Sequence, residues 1–167
     1  AGFARDGVQA TTMDDIAKEA DVSRTTLFNY FTGKGEILDH LTAEMLEGFY
    51  VRIEACRAST TNVEKRIMDA FVITGGLMES MAEDLRPLVG YFELSWNDAG
   101  VLERMERLTD SFEGLLEGGD MQFAPTAPAP RAMAEIMSGV FVGMVHTWRV
   151  SPDYPLKQRM TEAAKWI

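Results

Sequence analysis

Apolar positions recur at intervals of three and four along almost the whole chain, the spacing of one face of an α-helix, and no segment alternates convincingly as a strand does. Thr12 and Asp15 stand in capping-box relation, each side chain serving an orphan amide at a helix start, so a helix is predicted from Met13 to Ala20. Ile16, Ala17 and Ala20 face inward, and the small Ala17 lets a second helix cross closely. Asp21-Val22-Ser23 breaks the pattern, because Asp tolerates a left-handed turn and Ser23 can cap the next helix. A second short helix, Arg24 to Phe31, turns Leu27 and Phe31 to the core. After Thr32-Gly33, the positions Ile37, Leu38, Leu41, Met45, Phe49 and Ile53 describe one long amphipathic helix from Lys34 to Cys56.

Further helices are predicted at Val63 to Glu83, Leu85 to Asn97, Val101 to Glu117, Arg131 to Val150 and Leu156 to the end. Ala1 to Asp6 reads as the end of a helix begun earlier, with Phe3 inward and Gly7 as its C-cap, so some N-terminal chain is expected to be missing. Gly118 to Pro130 holds three of the six prolines and is expected to be an exposed, mobile connection. The expected fold is all-α: a helix-turn-helix bundle over residues 1–41, then a larger helical domain over 42–167.

Composition narrows the function. With 46% hydrophobic and 25% charged residues, and no apolar run near the ~20 residues of a bilayer span, membrane insertion is not expected. The first residues lack a basic stretch followed by an apolar block, so the expected compartment is cytoplasmic. Cys56 stands alone and reads as a small half-buried residue. A nucleophile elbow, a phosphate loop and a His-Glu metal motif are all missing from a sequence with only two histidines, so no catalytic residue, metal or cofactor is expected. The net charge of −10 argues against holding nucleic acid through bulk electrostatics. Residues 1–40 carry four basic against seven acidic side chains, a local charge of −3, so any DNA affinity must be concentrated in few groups.

Two short helices joined by a three-residue turn, the second rich in polar and aromatic side chains, describe a helix-turn-helix. The segment TTMDDIAKEADVSRTTLFNYFTGKGEILDHL, with Phe28, Asn29, Tyr30 and Phe31 leading to Lys34, closely resembles the signature of TetR-type regulators. That resemblance covers about Ala1 to Leu41, and the later helix order is similar to the same family. With helix Arg24 to Phe31 in a major groove, Arg24 could bond a guanine edge or a phosphate, Thr25 and Thr26 a phosphate or thymine methyl, and Asn29 an adenine or phosphate. Tyr30 would bond the DNA backbone, with Ser23, Thr12 and Lys34 gripping it at helix starts. The resemblance implies contacts at these positions. Phe28 stands where the family has tyrosine and cannot bond a phosphate. Asp21 replaces a common glycine, and the charge of Asp14 opposes close approach.

Eleven methionines and 10% aromatics suit an adaptable cavity for a largely apolar or aromatic molecule. The resemblance implies such an effector site, for which Phe71, Met78, Met81, Leu88, Tyr91, Phe92, Trp96, Met105, Phe112, Phe141, Met144 and Trp148 are the candidates, with Glu93, Asn97, His146 and Arg149 as polar anchors. Most of these must also be core. Gly139 and Gly143 lie one turn apart inside a helix, where each costs ~1 kcal/mol relative to alanine, so a close approach is expected there. Either a partner helix or a helix of the same chain could make it. The family implies a four-helix homodimer interface, to which Gly139, Gly143, Leu156, Met160, Ala163 and Ile167 would contribute.

The implied function is a ligand-responsive regulator that binds double-stranded operator DNA, repressing by family default. The implied mechanism is a lever, with ligand near Phe92 and Trp96 shifting the long helix and changing the separation of the two recognition helices. The competing reading is a helical ligand-binding or protein-interaction module that has lost DNA binding.

Overall fold

The computed structural model describes residues 2–94, 98–120 and 128–167. These form nine helices: α1 (Gly2–Ala10), α2 (Met13–Glu19), α3 (Arg24–Tyr30), α4 (Lys34–Ser59), α5 (Val63–Ser80), α6 (Ala82–Leu94), α7 (Asp98–Leu116), α8 (Pro130–Val150) and α9 (Leu156–Ala164). No strand occurs among the described residues, and no helix among them is long and apolar enough to cross a membrane. The predicted end of α6 beyond Leu94 and most of the proline-rich segment lie outside the described residues.

Helix α1 bends at Gly7, whose φ of 79° is open to glycine at no steric cost. Gly7 itself is non-helical, so the helical stretch before it ends there, as expected of a C-cap, and a separate short turn follows to Ala10. Thr11, 2% exposed, closes the end by donating its hydroxyl to the Gly7 carbonyl at 2.8 Å.

Packing divides the chain into two compact units, with a boundary different from the one expected at residue 41. The first unit comprises α1, α2, α3, α4 up to Glu47, and α6; the second takes α4 from Gly48 onward, with α5, α7, α8 and α9. In the first, α1 packs on α6 and α2, and α2 on α3. Its core joins Ala17, Leu27 and Ile37, against which the half-buried Phe3, Met13, Ile16, Phe31 and Leu41 pack.

The second unit pairs α5 with α9 and α7 with α8. Gly75 explains how closely α5 and α9 meet, since a Cβ there would stand 2.9 Å from the Lys157 Cα and 3.0 Å from the Met160 sulfur. Leu156 and Met160, expected at a dimer interface, are fully buried within the chain at 0% exposure. That expectation is corrected, because side chains with no exposed surface have none left for a partner. Four phenyl rings meet in the centre: Phe141 lies 5.2 Å from Phe49, 6.0 Å from Phe71 and 5.6 Å from Phe112. Beside them a buried hydroxyl pair, Thr109 with Ser138 at 3.2 Å, is satisfied further by the Ala134 carbonyl.

Arg66, only 6% exposed, ties the turn between α4 and α5 to the end of α7. Its guanidinium donates to the carbonyls of Thr60 at 2.6 Å, Leu115 at 3.2 Å and Glu117 at 2.7 Å, the last two at the C-terminal end of α7 where helix carbonyls lack partners. Arg66→Met keeps bulk but orphans those acceptors, and each buried unsatisfied group costs about 1–3 kcal/mol. Urea unfolding should show a loss of about 2–3 kcal/mol; an unchanged midpoint would mean that the clamp does not hold this end of the unit.

Candidate nucleic-acid interface

The geometry of α2 and α3 is set by three local devices. Thr12 caps α2, its hydroxyl accepting from the Asp15 amide at 3.2 Å while the Asp15 carboxylate accepts from the Thr12 amide at 2.9 Å, which completes the capping box. The chain then reverses at Asp21, whose φ of 54° lies in the left-handed region. Ser23 caps α3, accepting from the Thr26 amide at 3.0 Å. Thr32 and Glu36 form a similar pair at the start of α4, the Glu36 carboxylate accepting from the Thr32 amide at 2.7 Å and hydroxyl at 2.9 Å.

These hydrogen bonds hold both carboxyls below their ordinary range: for Asp15 the Thr12 hydroxyl acts most strongly and then its amide, for Glu36 the Thr32 amide and then its hydroxyl. A depressed carboxyl stabilises fully above its unfolded pKa of about 4 and loses that contribution as pH falls through the lower folded value, so the caps are intact at neutral pH.

Helix α3 buries one residue, Leu27, at 6% exposure, and turns the rest outward. Tyr30 is 75% exposed and Phe28 38%, with Arg24, Thr25, Thr26 and Asn29 also exposed. The face therefore presents a hydroxyl, a carboxamide, a phenol and a phenyl ring on a rigid rod anchored from behind. Several residues expected to touch DNA already have partners. Thr12 and Ser23 are caps, and the Thr26 hydroxyl pairs with that of Ser23 at 2.8 Å.

Lys34 differs most from expectation. Its ammonium donates to the carbonyls of Val8 at 2.5 Å, Gln9 at 3.1 Å and Thr11 at 2.9 Å, closing the end of α1. Arg24 places one Nη between both carboxylate oxygens of Asp14, at 2.8 and 2.7 Å, with its guanidinium 5.2 Å from the Phe28 ring centre. Neither pairing was visible in the sequence, where nothing marks residues 10 or more apart as neighbours.

The candidate effector residues divide between the two units. Phe71, Phe112 and Phe141 come together in the core of the second, where Trp148 is fully buried and Met78, Met105 and Met144 are half-buried. Met81, Leu88 and Tyr91 belong to the first, Met81 being 42% exposed. The Tyr91 hydroxyl donates to Asp39 at 3.1 Å, and burial followed by that carboxylate raises the phenol above its ordinary pKa. The side chains of Phe92 and Glu93, and Trp96 and Asn97 altogether, lie outside the described residues. No group of side chains among the described residues is suited to hold a metal ion.

A capped two-helix element with one buried anchor and an exposed polar face defines a helix-turn-helix module. Residues 2–41 match the family of bacterial regulatory proteins known as the tetR family. The chain is 34% identical over 68 residues to a probable HTH-type transcriptional regulator, YttP, of Bacillus subtilis, a match covering 40% of this chain and 33% of that protein. It spans about a third of the length of the curated relatives it matches. The fold is similar to that of the fatty acid degradation regulator FadR from Bacillus halodurans, at 20% identity and a TM-score of 0.77 over 98% of this chain and 86% of that one. It is also similar to Thermus thermophilus FadR, a structure in complex with lauroyl-CoA, at 20% identity and a TM-score of 0.65 over the same shares. The match to the tetR family is thus one of the N-terminal segment, residues 2–41, while the remainder of the chain shares the fold of the solved regulators.

Lys34→Met separates two roles for this residue. Losing three charge-assisted bonds should lower the thermal melting point of the free protein, by the equivalent of about 1–3 kcal/mol. A side chain that served only to contact phosphate would leave the melting of the unbound protein where it was.

Proposed function

We propose that this protein is an effector-controlled DNA-binding regulator that acts as a homodimer, with repression as its default. The observation that carries this reading is the outer face of α3: six exposed side chains in one short helix whose single inward residue, Leu27, fixes its orientation. An exposed Tyr30 costs the free protein apolar hydration and offers it no packing, which suits a side chain kept for a partner.

The dimer is supported by α8. Gly139 and Gly143 are exposed, and a Cβ built on either would meet nothing within 4 Å, so packing inside the chain does not require them. The exposed Ile136 and Val140 lie beside them at helical spacing, and Val150 two turns beyond Gly143. A helix of a second copy crossing this small-residue face explains both features, with Ala163 and Ile167 as flanking contacts.

The effector is largely apolar, a reading supported by the phenyl cluster of the second unit and its half-buried methionines. Because the Thermus thermophilus FadR structure contains lauroyl-CoA, a long-chain acyl thioester is the first effector to test. Helix α4 runs unbroken from Lys34 to Ser59 and contributes to both units, and it is the lever through which effector binding would act. Release of DNA then follows from a changed spacing of two α3 helices, whose half-sites would lie about one turn, ~34 Å, apart.

Selection from a randomised duplex pool supplies the DNA. Tyr30→Ala and Asn29→Ala should each weaken binding to the selected duplex at least tenfold with an unchanged melting point, since both side chains are exposed; equal affinity in wild type and variants would remove α3 from the interface. Gly139→Arg should convert the dimer to a folded monomer in sedimentation velocity, and persistence of the dimer would place the subunit contact elsewhere.

A further inference from the structure

The reading face holds its cations back. Of the four basic side chains before residue 41, three are bound within the protein: Arg5 to Asp6 at 2.7 Å, Lys34 to the end of α1, and Arg24 to Asp14. The first is a neighbour pair on α1 and the second a helix closure. The third is different, because it joins α2 to the first residue of α3, where the chain would enter a groove.

Asp14 and Arg24 are both well exposed, with side chains 61% and 65% accessible, so the pair contributes little to folding. Its geometry nevertheless fixes the guanidinium. One Nη is shared by both Asp14 oxygens, and the Phe28 ring lies at 5.2 Å, so the group is steered from two directions. A lone phosphate offers Arg24 only what Asp14 already gives, an anionic oxygen. A base edge with two fixed acceptors, such as the guanine O6 and N7, engages the guanidinium through two hydrogen bonds at once.

We propose that Asp14 is a specificity-determining residue of the DNA-reading face: by occupying Arg24 and so withholding it from phosphate, it weakens binding to random duplex far more than binding to the preferred site. This rests on the DNA-binding reading above. Asp14 acts through Arg24 and contacts no base itself.

The test measures dissociation constants of the full chain for its selected duplex and for a random duplex of equal length, at several salt concentrations. Asp14→Asn should tighten binding to random duplex about tenfold and to the selected duplex less than threefold, lowering the ratio of the two. The salt dependence on random duplex should steepen by about one released counterion, as expected when one more cation reaches phosphate. Asp14→Glu, which keeps the charge, should behave as wild type. In an Arg24→Ala background, Asp14→Asn should change the ratio less than twofold.

A preferred site with an unchanged ratio in Asp14→Asn overturns the assignment and leaves the DNA-binding reading standing. A full effect of Asp14→Asn without Arg24 overturns the part played by the ion pair. Failure of the wild-type protein to select any site overturns both the assignment and the reading on which it rests.

Discussion

The inward packing of Leu27 underlies everything that the reading face can do. A seven-residue helix is far below the length at which an isolated helix persists in water, so α3 exists only because the unit behind it holds it. Burying a leucine against Ala17 and Ile37 stabilises that arrangement by about 1.5–3 kcal/mol, and the Ser23 cap adds about 1 kcal/mol. Because one side chain does the anchoring, the remaining face is left to present Thr25, Asn29 and Tyr30 on a scaffold that does not have to fold upon binding.

The charge of the chain then acquires a physical meaning. A surface with net charge −10 cannot gather DNA by counterion release alone, and the structure shows three of its N-terminal cations engaged by the protein itself. On the DNA-binding reading proposed for this chain, recognition would rely on shape, on neutral hydrogen-bonding groups and on an arginine that must exchange one acceptor for another. Weak attraction to phosphate is a drawback for searching and an advantage for choosing, since every non-specific site in a genome competes for the same protein.

Local features were the ones legible in the sequence. The capping box of Thr12 and Asp15, the left-handed turn at Asp21 and the Ser23 cap each involve residues within four positions of one another, and short-range backbone chemistry determines them. The inward role of Leu27 followed from helical spacing. The contacts that escaped are those between helices distant in sequence: Lys34 on the end of α1, Arg66 on the end of α7, and the inclusion of α6 in the N-terminal unit. Periodicity tells which face of a helix is buried, and is silent on which neighbour buries it. Glycines illustrate the limit. Gly75 and Gly139 carry the same signal of a helix made small on one side, yet of these two only Gly75 meets a neighbour within the chain, the backbone of α9. The same ambiguity placed Leu156 and Met160 at a subunit interface when they are core.

A dimer that reads DNA through α3 must place that helix in the major groove twice, once from each subunit. Dimethyl sulfate protection on the selected duplex tests this most directly, because it reports guanine N7, an atom exposed only in that groove. The expected result is two protected clusters with centres about one helical turn apart, ~34 Å, both restored to full reactivity when Tyr30 is replaced by alanine. A single cluster, or tight binding that leaves every guanine N7 reactive, would contradict it.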